Sequence, residues 1–192
     1  MSTPRMSNIR WVRRTQGAAT SMSSEADEVL ETAFDEHWSS VCKTVYTLIG
    51  DWDEAQDLAL EAFWRLHTRP PRDLTNVGGW LYRVGTNLGL NAIRAHRRRR
   101  RYEEEAGALR LQRTDPLSPA DEVERRETQE RVRHVLSRMK PRKAQLLILR
   151  YTDHAYAEIA DILGVATGSV GTMLARAEED FERRYRALED VG

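Results

Sequence analysis

The sequence predicts an all-α protein with two small helical domains joined by a flexible linker, the second domain carrying a helix-turn-helix. Apolar residues recur at intervals of three and four through most of the chain, as on the inner face of a helix. This periodicity fades between residues 103 and 122, where two prolines interrupt the chain. Small and apolar residues in 156–177 then stand at helix-turn-helix offsets. A chain of 192 residues is long enough for two such domains.

Composition excludes several classes of protein. The formal net charge is zero, so any affinity for nucleic acid must come from how charge is distributed along the chain. The chain has neither a signal-like start nor eighteen consecutive apolar residues, and we therefore expect a cytoplasmic protein without membrane insertion. The single Cys42 suits a reducing compartment. No histidine stands at a metal-ligand spacing from it, so we expect no metal and no other cofactor.

The first domain is predicted over residues 25–102. The preceding residues 1–24 mix Ser, Thr, Met and Arg without periodicity and are predicted to form a flexible tail. The first helix covers about 25–49 and ends at Gly50. Asp51 or Asp53 can cap the second helix, which extends to about residue 67 before two prolines break it.

The second helix carries a row of carboxylates, with Asp53, Asp57 and Glu61 four residues apart on one face. Such a row is a solvated surface, a docking surface for a basic partner, or a metal or acid–base site. No histidine and no second row of carboxylates completes a catalytic site. We therefore expect the protein not to be an enzyme and to have no catalytic residues.

The third helix is predicted to begin near Trp80 and to end in a dense arginine run, with six arginines within residues 94–101. The planar fork of arginine suits phosphate groups. Tyr82 and Asn87 lie upstream on the same helix, where aromatic rings can stack on unpaired bases and an amide can bond base edges. The alternative is a solvated run balanced by the three glutamates that follow. The combination favours binding to DNA whose strands are partly separated.

The linker at 103–122 leads to the second domain, predicted over residues 123–192. Pro141 stands where a first-turn proline opens a helix. Ala160 then allows two helices to approach closely, Gly164 supplies the left-handed turn residue, and Val170 fixes the second helix, which continues to about residue 188. An ordinary helical hairpin is the alternative. Agreement of several offsets at once favours a DNA-binding unit.

Three segments, taken in order, resemble the bacterial extracytoplasmic-function (ECF) sigma factors. Residues 53–67 are similar to the family's polymerase-binding helix, 79–101 to its −10 recognition and melting segment, and 139–178 to its −35 domain. The resemblance implies a non-catalytic promoter-specificity subunit built from two helical domains. Its partners would be core RNA polymerase, promoter DNA and an anti-sigma factor that holds it inactive.

The resemblance also assigns residues to each partner. Contacts with polymerase would come from Asp57, Leu58, Glu61, Phe63 and Arg65. Asn87 would line the pocket for a flipped base, within a −10 surface formed by Trp80, Arg83, Asn87, Arg94, Arg97, Arg98, Arg99, Arg100 and Arg101. The −35 surface would comprise Thr167, Ser169, Thr172, Met173 and Arg176.

Some positions depart from the family pattern. Leu60 replaces a common glutamine, and Gly171, Met173 and Ala175 stand where many members carry basic residues or histidine. The acidic stretch 178–180 follows where the family is usually basic. Two alternatives therefore stay open: a helix-turn-helix regulator that does not join polymerase, and a sigma-derived protein-interaction module.

Overall fold

The computed structural model describes residues 22–105 and 120–189, with the side chains of residues 27–103 and 124–188. These residues form seven α-helices and no strand. Most of the predicted tail and linker lies outside the described residues. The first body consists of α1 (Met22–Ile49), α2 (Trp52–Thr68) and α3 (Val77–Glu105). The second body consists of α4 (Ala120–Arg138), α5 (Pro141–Tyr151), α6 (Tyr156–Leu163) and α7 (Thr167–Glu189).

The helix ends follow the local chemistry of the sequence. Gly50 has a φ of +74° and ends α1, as predicted, because this left-handed conformation disfavours a side chain. Asp51 caps α2 by accepting a hydrogen bond of 2.8 Å from the Glu54 amide. The α3 helix begins earlier than the predicted start at Trp80, because the Asn76 side chain accepts from the Gly79 amide at 2.6 Å. Gly78 and Gly79 therefore belong to the first turn of α3 and not to a loop before it.

The first body closes around an aromatic cluster. Phe34 stacks on Trp38 with ring centroids 4.6 Å apart, and Phe63 meets Phe34 edge-on at 5.3 Å. The inner face of α2 is otherwise built from alanines at 55, 59 and 62, all completely buried, which allow α2 to approach α1 closely. Because small residues supply most of this face, the apolar periodicity of the sequence is weak along α2.

The second body contains the predicted helix-turn-helix. Ala160, Val170 and Leu174 are buried between α6 and α7, together with Ile159 and Leu163. Between the helices Gly164 has a φ of +62°, which confirms its predicted left-handed role. The two helices meet at an angle of 90°, as a helix-turn-helix requires. Within the described residues no single helix is long and apolar enough to cross a membrane, and these two pass that test only as a bent pair.

A buried ion cluster joins α5 to α7. Asp180 is only 4% exposed and accepts hydrogen bonds from Lys143 Nζ at 3.2 Å and Arg184 Nε at 3.0 Å, and it also pairs with Arg183 at 2.5 Å. Burial acts to raise the pKa of Asp180, but the bonds and charges of Lys143 and Arg184 outweigh it and lower the pKa below its usual value. Of the three acidic residues at 178–180, Asp180 therefore stabilises the contact between α5 and α7.

The two bodies pack against each other through a shared apolar core. Val135 and Leu136 of α4, and Met139 directly after it, are buried in the same cluster as the residues that α1, α2 and α3 bury. Polar contacts surround this core, including one from Arg133 Nε to the Leu48 carbonyl at 3.1 Å. The domains that the sequence separates are thus in direct contact.

Because Gly164 lies in the turn between α6 and α7 and Gly168 lies inside α7, we expect alanine substitutions at these two positions to change the free energy of unfolding in opposite directions. Neither Gly164 nor Gly168 has an atom within 4 Å of where a Cβ would lie, so sterics do not distinguish them. Gly164→Ala should destabilise the protein by about 1–2 kcal/mol because alanine is strained at positive φ. Gly168→Ala, inside α7, should stabilise it by about 0.5 kcal/mol. Urea unfolding followed by circular dichroism measures both, and equal effects would contradict the assigned turn.

The ion cluster predicts a stability contribution that depends on pH. Asp180→Asn should lower the free energy of unfolding by about 1.5–3 kcal/mol at pH 7, since it removes hydrogen bonds from charged donors. Because the folded pKa is depressed, wild type should hold this advantage above the unfolded value near 4 and lose it as pH falls below that value. The control is Glu179→Gln, which removes one carboxylate at the exposed neighbouring residue and should leave the free energy of unfolding at pH 7 close to that of wild type. A difference between wild type and Asp180→Asn that persists at low pH would contradict the assignment.

Candidate nucleic-acid and polymerase interfaces

The residues predicted for the −10 element lie along one helix, α3. Trp80, Arg83, Asn87 and Arg94 follow each other at intervals of three, four and seven residues, so they share one side of the helix. Trp80 is partly buried against the core, whereas Asn87 is exposed. The spacing therefore presents an amide and guanidinium groups in one stripe, which we call the α3 stripe. Its members are Trp80, Arg83, Asn87, Arg94, Arg97, Arg98 and Arg101.

A glutamine from the second body contacts the middle of this stripe. Gln145 is only 5% exposed, and its Nε2 lies 3.1 Å from Asn87 Oδ1, 3.1 Å from Thr86 Oγ1 and 3.3 Å from the Arg83 carbonyl. An amide nitrogen has two protons to donate, and three acceptors surround it here. The amide oxygen of Asn87 is therefore already engaged by the chain itself.

Arginines of the stripe bond backbone and side-chain oxygens of the second body. Arg94 donates to the Ser137 carbonyl at 3.0 Å and to the Met139 carbonyl at 3.4 Å, where α4 ends. Arg97 donates to Ser137 Oγ at 3.4 Å. Partial burial, followed by repulsion from Arg138 and Arg101, lowers the pKa of Arg97. Like charges from the two bodies thus converge beside these hydrogen bonds.

The remaining arginines of the run differ in exposure and partners. Arg100 pairs with Glu130 of α4 at 3.0 Å, and both side chains are about half exposed. Arg98, Arg99 and Arg101 are exposed on α3. Part of the predicted phosphate-binding set therefore bonds the second body, and part of it faces solvent.

Two further contacts cover the start of the stripe. The Tyr82 ring meets His154 edge-on with centroids 4.7 Å apart, and burial raises the pKa of Tyr82. Arg83 Nη1 lies 3.4 Å from the Ile162 carbonyl at the end of α6. An aromatic ring that the sequence offered for base stacking is therefore packed against the turn that precedes the helix-turn-helix.

On the predicted polymerase face of α2 the charged residues are accessible, whereas the two apolar residues are partly or completely buried. Asp57 and Arg65 are exposed, and Arg65 Nε bonds Glu61 Oε1 at 2.8 Å, one helical turn apart. Leu58 is partly buried against the core. Phe63 does not lie on this face: its side chain is completely buried in the aromatic cluster, so its role there is packing rather than contact with a partner.

The predicted −35 face is also open. Thr167, Ser169, Thr172 and Arg176 are exposed along the first turns of α7, whereas Met173 packs partly against the second core. Glu178 and Glu179 are exposed beyond them. The recognition helix thus offers three hydroxyl groups and one guanidinium group beside two acids, a surface with little attraction for phosphate.

Gln145 and Ser137 were not predicted from the sequence to contact the α3 stripe. Gln145 stands three residues before Ile148 and four before Leu149, both buried, so helical spacing places it on the inner face of α5. A polar residue on an inner face needs a partner. That signal was available in the sequence, although it does not identify the partner.

Among the described residues, no group of three or more His, Cys, Asp or Glu side chains could hold a metal ion.

Comparison with known proteins matches both bodies. The family model for Sigma-70 region 2 matches residues 33–99, and that for Sigma-70 region 4 matches residues 129–180. The ECF RNA polymerase sigma factor SigW of Bacillus subtilis is 28% identical over 152 residues, covering 74% of this chain and 81% of that protein. The ECF RNA polymerase sigma factor SigG of Mycobacterium tuberculosis is 28% identical over 162 residues, and the match covers 71% of this chain and 43% of SigG.

A solved structure of the sigma factor RpoE with the anti-sigma factor NepR from Bartonella quintana overlaps 86% of this chain and 96% of that chain, with 17% identity and a TM-score of 0.40. The family of this chain is identified from the sequence matches, not from this structural likeness. Region 2 coincides with the helices of the first body and region 4 with those of the second, in family order. The chain belongs to the ECF sigma factors of bacterial RNA polymerase.

Proposed function

We propose that this chain directs core RNA polymerase to promoters through three separate binding surfaces. The α2 face around Asp57 and Glu61 docks on polymerase. The α3 stripe captures an unpaired −10 base at Asn87, and the exposed face of α7 meets the −35 element. The observation that carries the proposal is the match of both sigma regions to the two bodies. The chain contributes binding and no catalysis of its own, and it acts in the cytoplasm.

The charge distribution supports this division. Exposed carboxylates on α2 suit a basic partner surface, whereas arginines on α3 suit phosphate. Extruding a base costs a few kcal/mol of stacking, which contacts in a pocket offset. An anti-sigma factor is the expected regulator of such a chain.

The −35 contact is the weakest of the three. Three hydroxyl groups and Arg176 can bond base edges, but the nearby acids oppose phosphate binding. We therefore propose that region 4 adds few base contacts and that promoter choice comes mostly from the −10 element. Thr172→Ala combined with Arg176→Ala should reduce transcription from the promoter without abolishing it, because the few −35 base contacts are lost, whereas unchanged promoter output would favour the protein-interaction alternative.

The direct test is run-off transcription with core polymerase that lacks its own sigma factor, over a library of genomic fragments. Promoter-dependent transcripts are expected, and their complete absence would overturn the proposal. Asp57→Arg should weaken binding to core about five- to thirtyfold, because it reverses an exposed charge at the centre of the docking face. Asp35→Arg, an exposed charge reversal on α1, is the matched control and should bind core normally.

The exposed arginines predict a change in salt dependence. Arg98→Ala with Arg99→Ala should flatten the slope of log affinity against log salt by about 1.4–1.8 for promoter binding by the polymerase complex, as each lost phosphate contact removes about 0.7–0.9. Arg69→Ala with Arg72→Ala, exposed before α3, is the control. If the slope does not change in the Arg98→Ala and Arg99→Ala variant, these two arginines face solvent and do not contact phosphate.

A further inference from the structure

We propose that the N-terminal segment 5–14 of this chain binds in a groove between the two bodies. The groove has a volume of about 1330 Å³. One side of α1, residues 74–79 and α6 with the turn after it line the groove. A segment bound there contacts both bodies at once. The inference depends neither on the polymerase contacts nor on the DNA contacts proposed above.

The walls of the groove are acidic. Glu28 and Glu36 line it from α1 and Asp161 lines it from α6, and all three side chains are exposed. None of the described residues that line the groove is a lysine or an arginine. Glu36 lies 3.7 Å from His37, and within the described part of the chain no lysine or arginine pairs with any of the three carboxylates. Carboxylates on two walls without a basic partner favour a cationic occupant.

Apolar side chains lie between these carboxylates. Leu74 lines the groove with 45% of its surface exposed, and Val77 and Val165 line it as partly buried residues. An exposed leucine beside acidic residues is typical of a surface that binds a peptide with both basic and apolar side chains. The groove therefore differs from a helix face that is acidic only because it is solvated.

The N-terminal segment has the matching chemistry. Residues 1–21 contain arginines at positions 5, 10, 13 and 14 and no acidic residue. Ile9, Trp11 and Val12 stand among these arginines. An indole ring and the stems of arginine cover apolar surface, while the guanidinium groups donate to carboxylates. Charge and apolar character thus both match the groove.

The segment is close enough to reach the groove. Helix α1 begins at Met22, and a rise of about 1.5 Å per residue places Glu28 about 9 Å and Glu36 about 21 Å along the helix from that point. The seven residues 15–21 span at most about 25 Å when extended. A chain that turns back at the start of α1 can therefore place residues 5–14 along the groove.

Tethering makes weak contacts sufficient. An exposed ion pair contributes little by itself, but the segment and the groove belong to one chain, and a short tether gives an effective concentration in the millimolar range. Several exposed ion pairs together with the burial of Trp11 can then keep the groove occupied. The same segment from a separate molecule has no such advantage.

Disulfide trapping in the full-length chain tests the position of the segment. Asn8→Cys is combined with Thr32→Cys, which lies in the groove, or with Glu31→Cys, which is exposed on α1 outside it. The two α1 positions are neighbours, so a segment that does not bind reaches both at similar rates. Native Cys42 is buried, and burial raises its pKa to about 12, so it does not compete in a glutathione buffer at pH 8. Non-reducing gels separate an internal disulfide from a dimer.

The groove pair should form its internal disulfide about tenfold faster than the control pair. The ratio should fall towards one in 1 M salt, because salt screens exposed charges. Equal rates at low salt would overturn the inference. Disulfide-linked dimers in place of the internal bond would also overturn it, since the segment of a second copy would then fill the groove.

A charge swap tests the chemistry of the contact in the Asn8→Cys, Thr32→Cys chain. Glu28→Arg with Glu36→Arg should slow trapping about tenfold, and adding Arg13→Glu with Arg14→Glu should restore it. The rescued chain keeps both new arginines in the groove, so their effect on the thiols is the same in both variants. Circular dichroism checks that each variant folds. Slow trapping that the second pair of substitutions does not restore would contradict the proposed ion pairs.

Discussion

Gln145 forms the contact through which the two halves of this chain are joined at their functional surface. It is a buried amide that finds its acceptors on another domain, at Thr86, Asn87 and the Arg83 carbonyl. A buried polar group left without partners is costly, so its position favours one docking arrangement over others that an apolar face alone would permit. Arg94, bonded to the last carbonyls of α4, fixes the same arrangement from the other side.

Neutral net charge and strongly charged surfaces are compatible because the charges are sorted by helix. Carboxylates are concentrated on the outer face of α2 and arginines on α3, while Asp180 is buried with Lys143. Each surface can thus attract a different partner, although the whole protein has no net attraction for either. The same sorting explains the weak −35 face, because the acids at 178–179 remain exposed beside Arg176.

The helices and the turn could be predicted from the sequence because they depend on local spacing. Gly50, Pro141 and Gly164 act through their own backbone geometry, and Asp51, one of the two predicted caps, acts through a side-chain bond to its own helix. The family and its function follow from the matched regions.

Other features depend on distant partners. Phe63 looked like a surface contact because its helix matches a docking segment, yet it fills the core. The buried alanine face of α2 could not be predicted from apolar periodicity, because alanine side chains add little to the hydrophobic pattern. The early start of α3 required the Asn76 cap, and the docking of Gln145 on α3 joins residues about sixty positions apart. No local pattern encodes that pairing.

The most direct measurement is photocrosslinking from one position in two states. A diazirine side chain at Asn91, an exposed position one turn beyond Asn87, reaches whatever covers the α3 stripe. In the free chain the adduct should map to α4 or α5, and in the polymerase–promoter complex it should map to the unpaired DNA strand. Absence of the first adduct would contradict the packing of the second body on α3, and absence of the second would contradict the proposed −10 contact.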